Sequence, residues 1–172
     1  MTGLFGGAIV VFCSAYIGIL LARKLYLRSR QLAQIQAALG TLEFEITFLN
    51  LPLTDALYKV GIGDSSPVDK LFLQFSDQLR HCRGMAVKRA FERALALNGH
   101  LLALADEDKE ILLEFAGKLG GGDKDSQVQN IRAALIKLKA AEDEASEVAR
   151  KNGSLYKGLG VLAGVFLVIV LI

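Results

Sequence analysis

The sequence predicts an all-α protein in which a six-helix bundle lies between two terminal transmembrane helices. Apolar residues recur at helical spacing through the interior of the 172-residue chain, and no segment alternates as a strand would. Both ends are uncharged over long runs, 2–22 and 158–172, and the charges nearest to each run are basic. The expected domains are an N-terminal transmembrane helix at 1–22, a cytoplasmic helical-bundle domain at 23–157 and a C-terminal transmembrane helix at 158–172.

The first terminal run has the length of a membrane span, because residues 2–22 at 1.5 Å each extend about 30 Å. A cleaved signal peptide is the alternative. Its positive charge should precede the apolar core, whereas Arg23, Lys24, Arg28 and Arg30 follow it, and no small-residue cleavage site is present. Cys13 lacks the basic leader of a lipid-attachment site, so a plain thiol in a membrane helix is expected.

The C-terminal run is shorter and would reach only about 22 Å as a helix. Leu155 and Tyr156 would extend it, with Lys157 snorkelling towards the headgroups. A buried helix of a globular protein is the alternative, but residues 161–172 are apolar on every face. The basic residues just inside both runs place the body in the cytoplasm and both termini on the far side.

Small residues recur along both terminal runs. Ser14, Gly18 and Ala22 share one face of the first run, and Gly160 and Gly164 share one face of the second. This spacing permits close backbone approach, within one protomer or between protomers of a homo-oligomer. The alternative is that small residues are simply common in membrane helices.

Charge is divided unevenly along the chain. All 18 acids lie in 31–149 with 13 of the 20 Lys and Arg, so this body carries −5 and the membrane-proximal segments carry +7. An acidic body argues against nucleic acid as a partner, because phosphate backbones require clustered cations. The basic segments suit the headgroups of membrane lipid.

The first and last elements of the body are predicted to be long helices that continue the membrane runs. We expect them to lie antiparallel as a stalk. Their inward positions are Ile35, Leu39, Leu42, Ile46 and Leu49 in the first, and Val128, Ile131, Leu135, Leu138, Ala145 and Ala149 in the last.

Four shorter helices are predicted between the long ones. The first begins at Pro52 and is closed by Gly61 and Gly63, and the second runs from Ser66-Pro67 to Gly84. The third covers 85–97 with Asn98-Gly99 as a left-handed cap, and the fourth covers 106–119. The inward residues are Leu71, Phe72, Phe75 and Leu79 in the second and Ile111, Leu112, Phe115 and Leu119 in the fourth. Acids at 106–108 suit the dipole of the fourth helix.

Two motifs could form ligand sites, and both favour structural interpretations. Gly120-Gly121-Gly122-Asp123 could cradle a phosphate, but Asp123 and Asp125 would repel one, so a helix end followed by a cap is preferred. His81 and Cys82 diverge on a helix, and no second pair completes a metal site.

Other titratable residues also give no catalytic pattern. His100 has no acidic or nucleophilic neighbour in sequence. Glu43 and Glu45 are two residues apart and therefore diverge, which indicates a solvated or partner-facing patch. No catalytic residue, cofactor or metal is predicted.

Several stretches, spread in order along essentially the whole chain, form a recognisable pattern. They are 42–46, 51–57, Ser66-Pro67-Val68, Leu71-Phe72, Phe75, Leu119-Gly120, Asp123, Gln127, Ile131 and 157–164. This pattern resembles the stage III sporulation protein AB family of endospore-forming bacteria, with Phe48 and Thr54-Asp55 departing from the family's Tyr and Pro-Glu.

The resemblance implies a fold and a role. The fold is the GspF-like six-helix cytoplasmic domain of the inner-membrane platform in type II secretion and type IV pilus machines. The role is that of a non-enzymatic platform on the mother-cell side of the outer forespore membrane, in the channel complex between mother cell and forespore. The implied partners are a secretion-type ATPase, stage III sporulation protein AA, and other proteins of the same operon.

Two classes of function stay open at this point, with an enzyme as a distant third. One is the platform, and the other is a membrane-tethered helical adaptor or regulatory domain that binds another cytoplasmic partner. A platform should be encoded beside its ATPase. Its docking end is expected at the distal turns of the stalk, where Asp55, Asp123 and Asp125 would attract a basic partner.

Overall fold

The computed structural model describes residues 2–63, 66–81, 86–120 and 123–171. Over these ranges the chain forms six α-helices and one 3₁₀ turn, with no strand, so the all-helical prediction is confirmed. The elements are α1 (Thr2–Thr47), α2 (Leu53–Gly61), α3 (Pro67–His81), α4 (Val87–Asn98), the 3₁₀ turn Gly99–Leu101, α5 (Asp106–Lys118) and α6 (Lys124–Leu171).

Packing divides the chain into two compact units. The first, here called the body, is Arg30–Glu142 and contains α2 to α5 with the adjoining parts of the two long helices. The second, here called the end unit, is Met1–Ser29 with Asp143–Ile172.

The body buries one face of each helix. In α1, residues Leu32, Ile35, Leu39, Leu42 and Ile46 recur every three or four positions and are all buried. This confirms the predicted stripe as far as Ile46. The stripe ends there, because Leu49 lies beyond the last turn of α1 and is 48% exposed.

Within the body, α1 and α6 run antiparallel, as predicted for the stalk. The Nε of Arg132 donates to Glu43 Oε1 at 2.7 Å, and the Nε2 of Gln36 donates to the Leu138 carbonyl at 3.5 Å. In these contacting pairs the residue numbers decrease along α1 as they increase along α6. The buried residues of α6 in this unit are Ile131, Ala134 and Leu138.

α2 ends at a glycine that packs closely against α3, and α3 begins with a capping box. A Cβ on Gly61 would lie 2.5 Å from the backbone nitrogen of Leu73, so this approach requires glycine. Ser66 and Asp69 each accept a hydrogen bond from the other's backbone N–H, at 3.1 and 2.9 Å. α3 then packs on α4, where the rings of Phe75 and Phe91 meet edge to face with centroids 5.2 Å apart.

One predicted helix cap is wrong, although α4 ends at Asn98 as expected. Gly99 has φ −61° and ψ −27°, so it does not form a left-handed cap, and the chain continues as the 3₁₀ turn. The side chain of Gln31 holds the chain just after Gly99, because its Oε1 accepts from the N–H of Ala103 at 2.6 Å and its Nε2 donates to the Leu101 carbonyl at 3.4 Å. The predicted break at Gly84 lies outside the described residues.

The end unit buries small residues and exposes large apolar ones. A Cβ on Gly153 would lie 2.9 Å from the ring of Tyr26, which places α1 and α6 in close contact there. The buried positions are Gly18, Ala22, Ala145, Ala149 and Gly153. The exposed ones include Tyr16, Ile17, Ile19, Leu20, Leu21, Leu155, Leu159, Leu162 and Phe166.

Candidate functional site

The predicted docking end is the region where α1 stops and α6 starts. The Nζ of Lys124, the first residue of α6, donates to the Thr47 carbonyl at 2.5 Å and to Asn50 Oδ1 at 2.6 Å. Asn50 is left-handed, with φ 51°, so the chain turns sharply after α1. The turn after α1 and the turn before α6 are thus held together by one lysine.

The ends of three further helices join this region, here called the distal end. Gly120, which follows α5, has φ 86°. A Cβ on it would overlap Val87 at the start of α4 and lie 3.8 Å from Leu53 at the start of α2. The two predicted turns, 51–55 and the described residues Gly120 and 123–125 of the second, are therefore on one end of the body.

Asp55 lies in the first turn of α2, and its charge is paired. The Nη2 of Arg80 donates to Asp55 Oδ1 at 2.8 Å. The same guanidinium lies 4.4 Å above the ring centroid of Tyr58. A paired carboxylate attracts a basic partner less than an isolated one, which weakens the predicted role of Asp55 in docking.

Asp123 caps α6. Its Oδ1 accepts from the N–H of Ser126 at 3.0 Å, and the hydrogen bonds from the side chain and backbone of Ser126 lower the pKa of the carboxyl. In the Gly120–Asp123 motif, Gly120 therefore follows the end of α5 and Asp123 caps α6, whereas Gly121 and Gly122 lie outside the described residues. Asp125 is exposed in the first turn of α6.

Two aromatic residues at the end of α1 are exposed, although the sequence did not predict them to be surface residues. Phe44 and Phe48 are 50% and 70% exposed, and their ring centroids are 5.1 Å apart. Both lie on the side of α1 opposite its buried stripe, which the helical period could have revealed. Exposed aromatic residues are typical anchors of protein interfaces.

Glu43 and Glu45 diverge, as their spacing predicts. Each nevertheless forms an ion pair within the body, Glu43 with Arg132 at 2.7 Å and Glu45 with Lys59 at 3.1 Å. Their side chains are only 20% and 12% exposed. The prediction of a solvated or partner-facing patch is wrong for this reason.

In the part of the chain that the structure describes, no three His, Cys, Asp or Glu side chains are grouped closely enough to hold an ion. His81 Nδ1 lies 2.9 Å from the Asp77 carbonyl in its own helix, and Cys82 lies outside the described residues. His100 lines an open groove of about 450 Å³ between α4 and α5.

The predicted membrane helices can be followed only in part. Gly18 is buried in the end unit, whereas the packing of Gly160 and Gly164 in α6 lies outside the described residues. Most side chains of 1–22 and 158–172 also lie outside them. Among the residues that are described, no helix is both long enough and apolar enough to cross a membrane.

Comparison with known proteins now decides the family. The sequence profile of the family described as stage III sporulation protein AB matches residues 3–172. The chain belongs to the stage III sporulation protein AB family. Its resemblance to this family is therefore confirmed, and with it an involvement in sporulation.

Two individual relatives agree with this assignment. Stage III sporulation protein AB of Bacillus subtilis (strain 168) is 36% identical over 171 residues, which are 99% of each chain. A solved structure titled stage III sporulation protein AB (SpoIIIAB) is 35% identical, with a TM-score of 0.66. It covers 72% of this chain and 97% of its own.

Proposed function

We propose that this sporulation protein is a non-enzymatic platform in a secretion-like channel complex of the outer forespore membrane. Helices at both ends anchor it, and the GspF-like body couples a cytoplasmic ATPase to membrane ring components. The observation that carries the proposal is the distribution of side chains in the end unit. There, glycine and alanine are buried while tyrosine, leucine, isoleucine and phenylalanine are exposed.

This distribution is the reverse of that in a water-soluble helix pair. Water favours burial of large apolar side chains, and contiguous exposed apolar surface marks a contact with another apolar phase. In a bilayer, large side chains face lipid and small residues such as Gly18, Ala22 and Gly153 allow two helices to approach closely. The basic residues beside both runs suit anionic headgroups.

Membrane topology tests the anchoring. Two-pass insertion with a cytoplasmic body places both termini outside the cytoplasm, so single cysteines added before Met1 and after Ile172 should react with an impermeant maleimide in intact cells. A cysteine at Lys139, on the exposed surface of the body, should react only after lysis. A C-terminus that is protected until lysis would contradict the two-anchor arrangement.

The distal end is our proposed docking site for the ATPase. Phe48 supplies an exposed apolar anchor, and Asp125 supplies an exposed acid at the start of α6, next to Lys124, which donates to Thr47 and Asn50. Asp123 adds charge but also caps α6, and Asp55 is paired with Arg80. We therefore assign the contact to Phe48 and the electrostatic steering mainly to Asp125.

The docking variants must leave the helix cap intact. Asp123→Lys would remove the hydrogen bond to Ser126, so the informative changes are Phe48→Ser and Asp125→Lys. Both should weaken co-purification of the ATPase and lower spore yield while helicity and membrane insertion stay unchanged. Asp125→Lys should act more strongly at low salt.

Glu110→Lys is the matched control, because Glu110 is an exposed acid of α5 away from the distal end. It should leave both readouts unchanged. Normal ATPase co-purification and normal spore yield in the Phe48 and Asp125 variants would contradict docking at the distal end.

A further inference from the structure

The connection between α4 and α5 is apolar, although connections on a protein surface are usually polar. Residues 94–105 contain a single ionisable side chain, that of His100, in a chain of which 22% is charged. The last two residues of α4 and the connection, 97–105, are here called the proximal loop. Two of its leucines are exposed, Leu97 by 56% and Leu101 by 43%.

The two exposed leucines lie on one helical face. Asn98 has φ −112° and ψ −7°, and Gly99 has φ −61° and ψ −27°, so the chain passes from α4 into the 3₁₀ turn along a right-handed path. Side chains four positions apart on such a path are neighbours. Leu97 and Leu101 therefore form one apolar patch rather than two scattered residues.

The proximal loop is held firmly, so the exposure of this patch does not come from a loose chain. Gln31 accepts from the N–H of Ala103 at 2.6 Å and donates to the Leu101 carbonyl at 3.4 Å. The N–H of Ala105 donates to Asp108 Oδ2 at 2.8 Å. The leucines that the loop buries are Leu102 and Leu104. Two leucines of the loop thus belong to the core, while two are presented to the surroundings at fixed positions.

Gln31 also fixes where the loop lies along α1. α1 is one continuous helix, and Gln31 is nine positions after Ala22, the last residue of the uncharged run. Nine positions correspond to about 13 Å, and the headgroup layer extends about 5–8 Å beyond the hydrocarbon core. The Cα–Cβ bonds of α1 point towards its N-terminus, which is the direction of the run. The length of a leucine side chain and the usual helix tilt of about 20° cover the remaining distance.

We propose that Leu97 and Leu101 insert into the headgroup layer of the membrane that holds the run at 2–22. This inference rests on the proposed anchoring of the chain and adds a second contact with lipid. Apolar side chains gain free energy when they are buried at the boundary between headgroups and acyl chains. The contact would hold the body at a fixed tilt, which a platform needs if it is to transmit motion from a partner.

The charges around the proximal loop are of both signs. The ionisable residues nearest to it along α1, α4 and α5 and within the loop are Arg30, Arg93, His100, Asp106, Glu107 and Lys109. Asp106 is paired with Lys109 at 2.7 Å. With acids and bases mixed in this way, anionic headgroups are not strongly preferred. We therefore expect the contact to depend on the leucines and to form on zwitterionic lipid.

Spin labels on the full chain in phosphatidylcholine vesicles test this contact. The background is Cys13→Ser, Cys82→Ser. A nitroxide at Leu97→Cys or at Leu101→Cys should collide more often with oxygen, which is enriched in lipid, and less often with a water-soluble nickel chelate. We expect the ratio of oxygen to nickel collisions to be at least about threefold higher than at Phe48→Cys. Phe48 is the matched control, because it is an exposed apolar residue of the distal end.

A second variant tests whether the leucines cause the insertion. A carboxylate is disfavoured next to acyl chains, so Leu97→Asp should lower the collision ratio of the label at Leu101→Cys at least about threefold. The melting temperature should not fall, because Leu97 is exposed. Ile136→Asp is the control, since Ile136 is an exposed apolar residue of α6 outside the loop, and it should leave the ratio unchanged. A ratio that stays high with Leu97→Asp would overturn the insertion.

A label at Ile17→Cys, an exposed residue of the uncharged run, separates this inference from the proposed anchoring. A high ratio at position 17 with ratios at 97 and 101 no higher than at 48 would overturn the loop contact and leave the anchoring intact. A low ratio at position 17 would overturn both. Fewer collisions with oxygen and nickel alike at 97 and 101 would show that a second copy covers the leucines, and the lipid contact would be overturned.

Discussion

Gly61 and Gly117 show that the same residue can be required at one helix position and dispensable at another. Gly61 ends α2 against the backbone of Leu73, where a Cβ would lie 2.5 Å from the nitrogen. Gly117 lies inside α5, and a Cβ there would be 3.6 Å from Lys88 Cδ, an ordinary contact with a flexible side chain. The surroundings therefore decide what an alanine would do.

We expect Gly61→Ala to lower the free energy of unfolding by about 1–3 kcal/mol, because the backbones of α2 and α3 must separate. Gly117→Ala should raise it by up to about 1 kcal/mol through helix propensity. Urea unfolding of the full chain in detergent, followed by circular dichroism, gives both values. Equal shifts in the two variants would contradict the close approach of α2 and α3.

Gln31 is a residue whose importance follows from contacts far away in sequence. It is 4% exposed, and it accepts from Ala103 and donates to the Leu101 carbonyl. Gln31→Leu leaves both backbone groups without this partner, which costs about 1–3 kcal/mol for buried polar groups. Amide exchange in 101–105 should accelerate.

Gln36→Leu is the comparison for this experiment. The Nε2 of Gln36 donates to the carbonyls of Leu32 and Leu138 at 3.3 and 3.5 Å, and both carbonyls lie within helices. We expect a smaller loss of stability and no change in exchange at 101–105. An equal acceleration in both variants would argue against Gln31 as the residue that fixes this loop.

At the scale of elements, the sequence predicts helices well and their connections poorly. α3 follows from Leu71, Phe72 and Phe75, because the residues of one helix determine its own apolar face. The 3₁₀ turn after Asn98 could not be predicted from its neighbours in sequence. The loop after this turn is held by Gln31, which lies about 70 positions earlier in the chain. The pairing of Asp55 with Arg80 escaped prediction for the same reason.

Glu114 links α5 to α6 and gives this contact a pH dependence. It accepts from Lys118 in its own helix at 2.7 Å and from Lys137 in α6 at 2.5 Å. These bonds lower the pKa of the carboxyl to about 2. Because the folded-state pKa lies below the unfolded value, the link stabilises the fold above about pH 5 and is lost as pH falls towards 2.

We expect Glu114→Gln to reduce the fall in melting temperature between pH 5 and pH 2, since the glutamine has no proton to gain. The effect should be small because the pair is solvent-exposed, and it should diminish in high salt. Thermal unfolding across this pH range measures it. Glu110→Gln is the matched exposed control, and identical pH profiles for the two variants would contradict the link.

The whole molecule combines two opposite distributions of apolar residues. In the body, large side chains such as Phe72, Phe75 and Phe91 are buried, as water favours. In the end unit, glycine and alanine are buried and large side chains are outside, as lipid favours. The two units should therefore respond differently when lipid is absent.

We expect residues 28–152 to fold alone as a monomeric helical bundle, because this fragment contains the whole apolar core of the body. Circular dichroism should show a helical spectrum with cooperative melting, and sedimentation should give one monomer mass. A fragment that aggregates, or that shows substantial strand content, would mean that the body depends on the end unit for its fold.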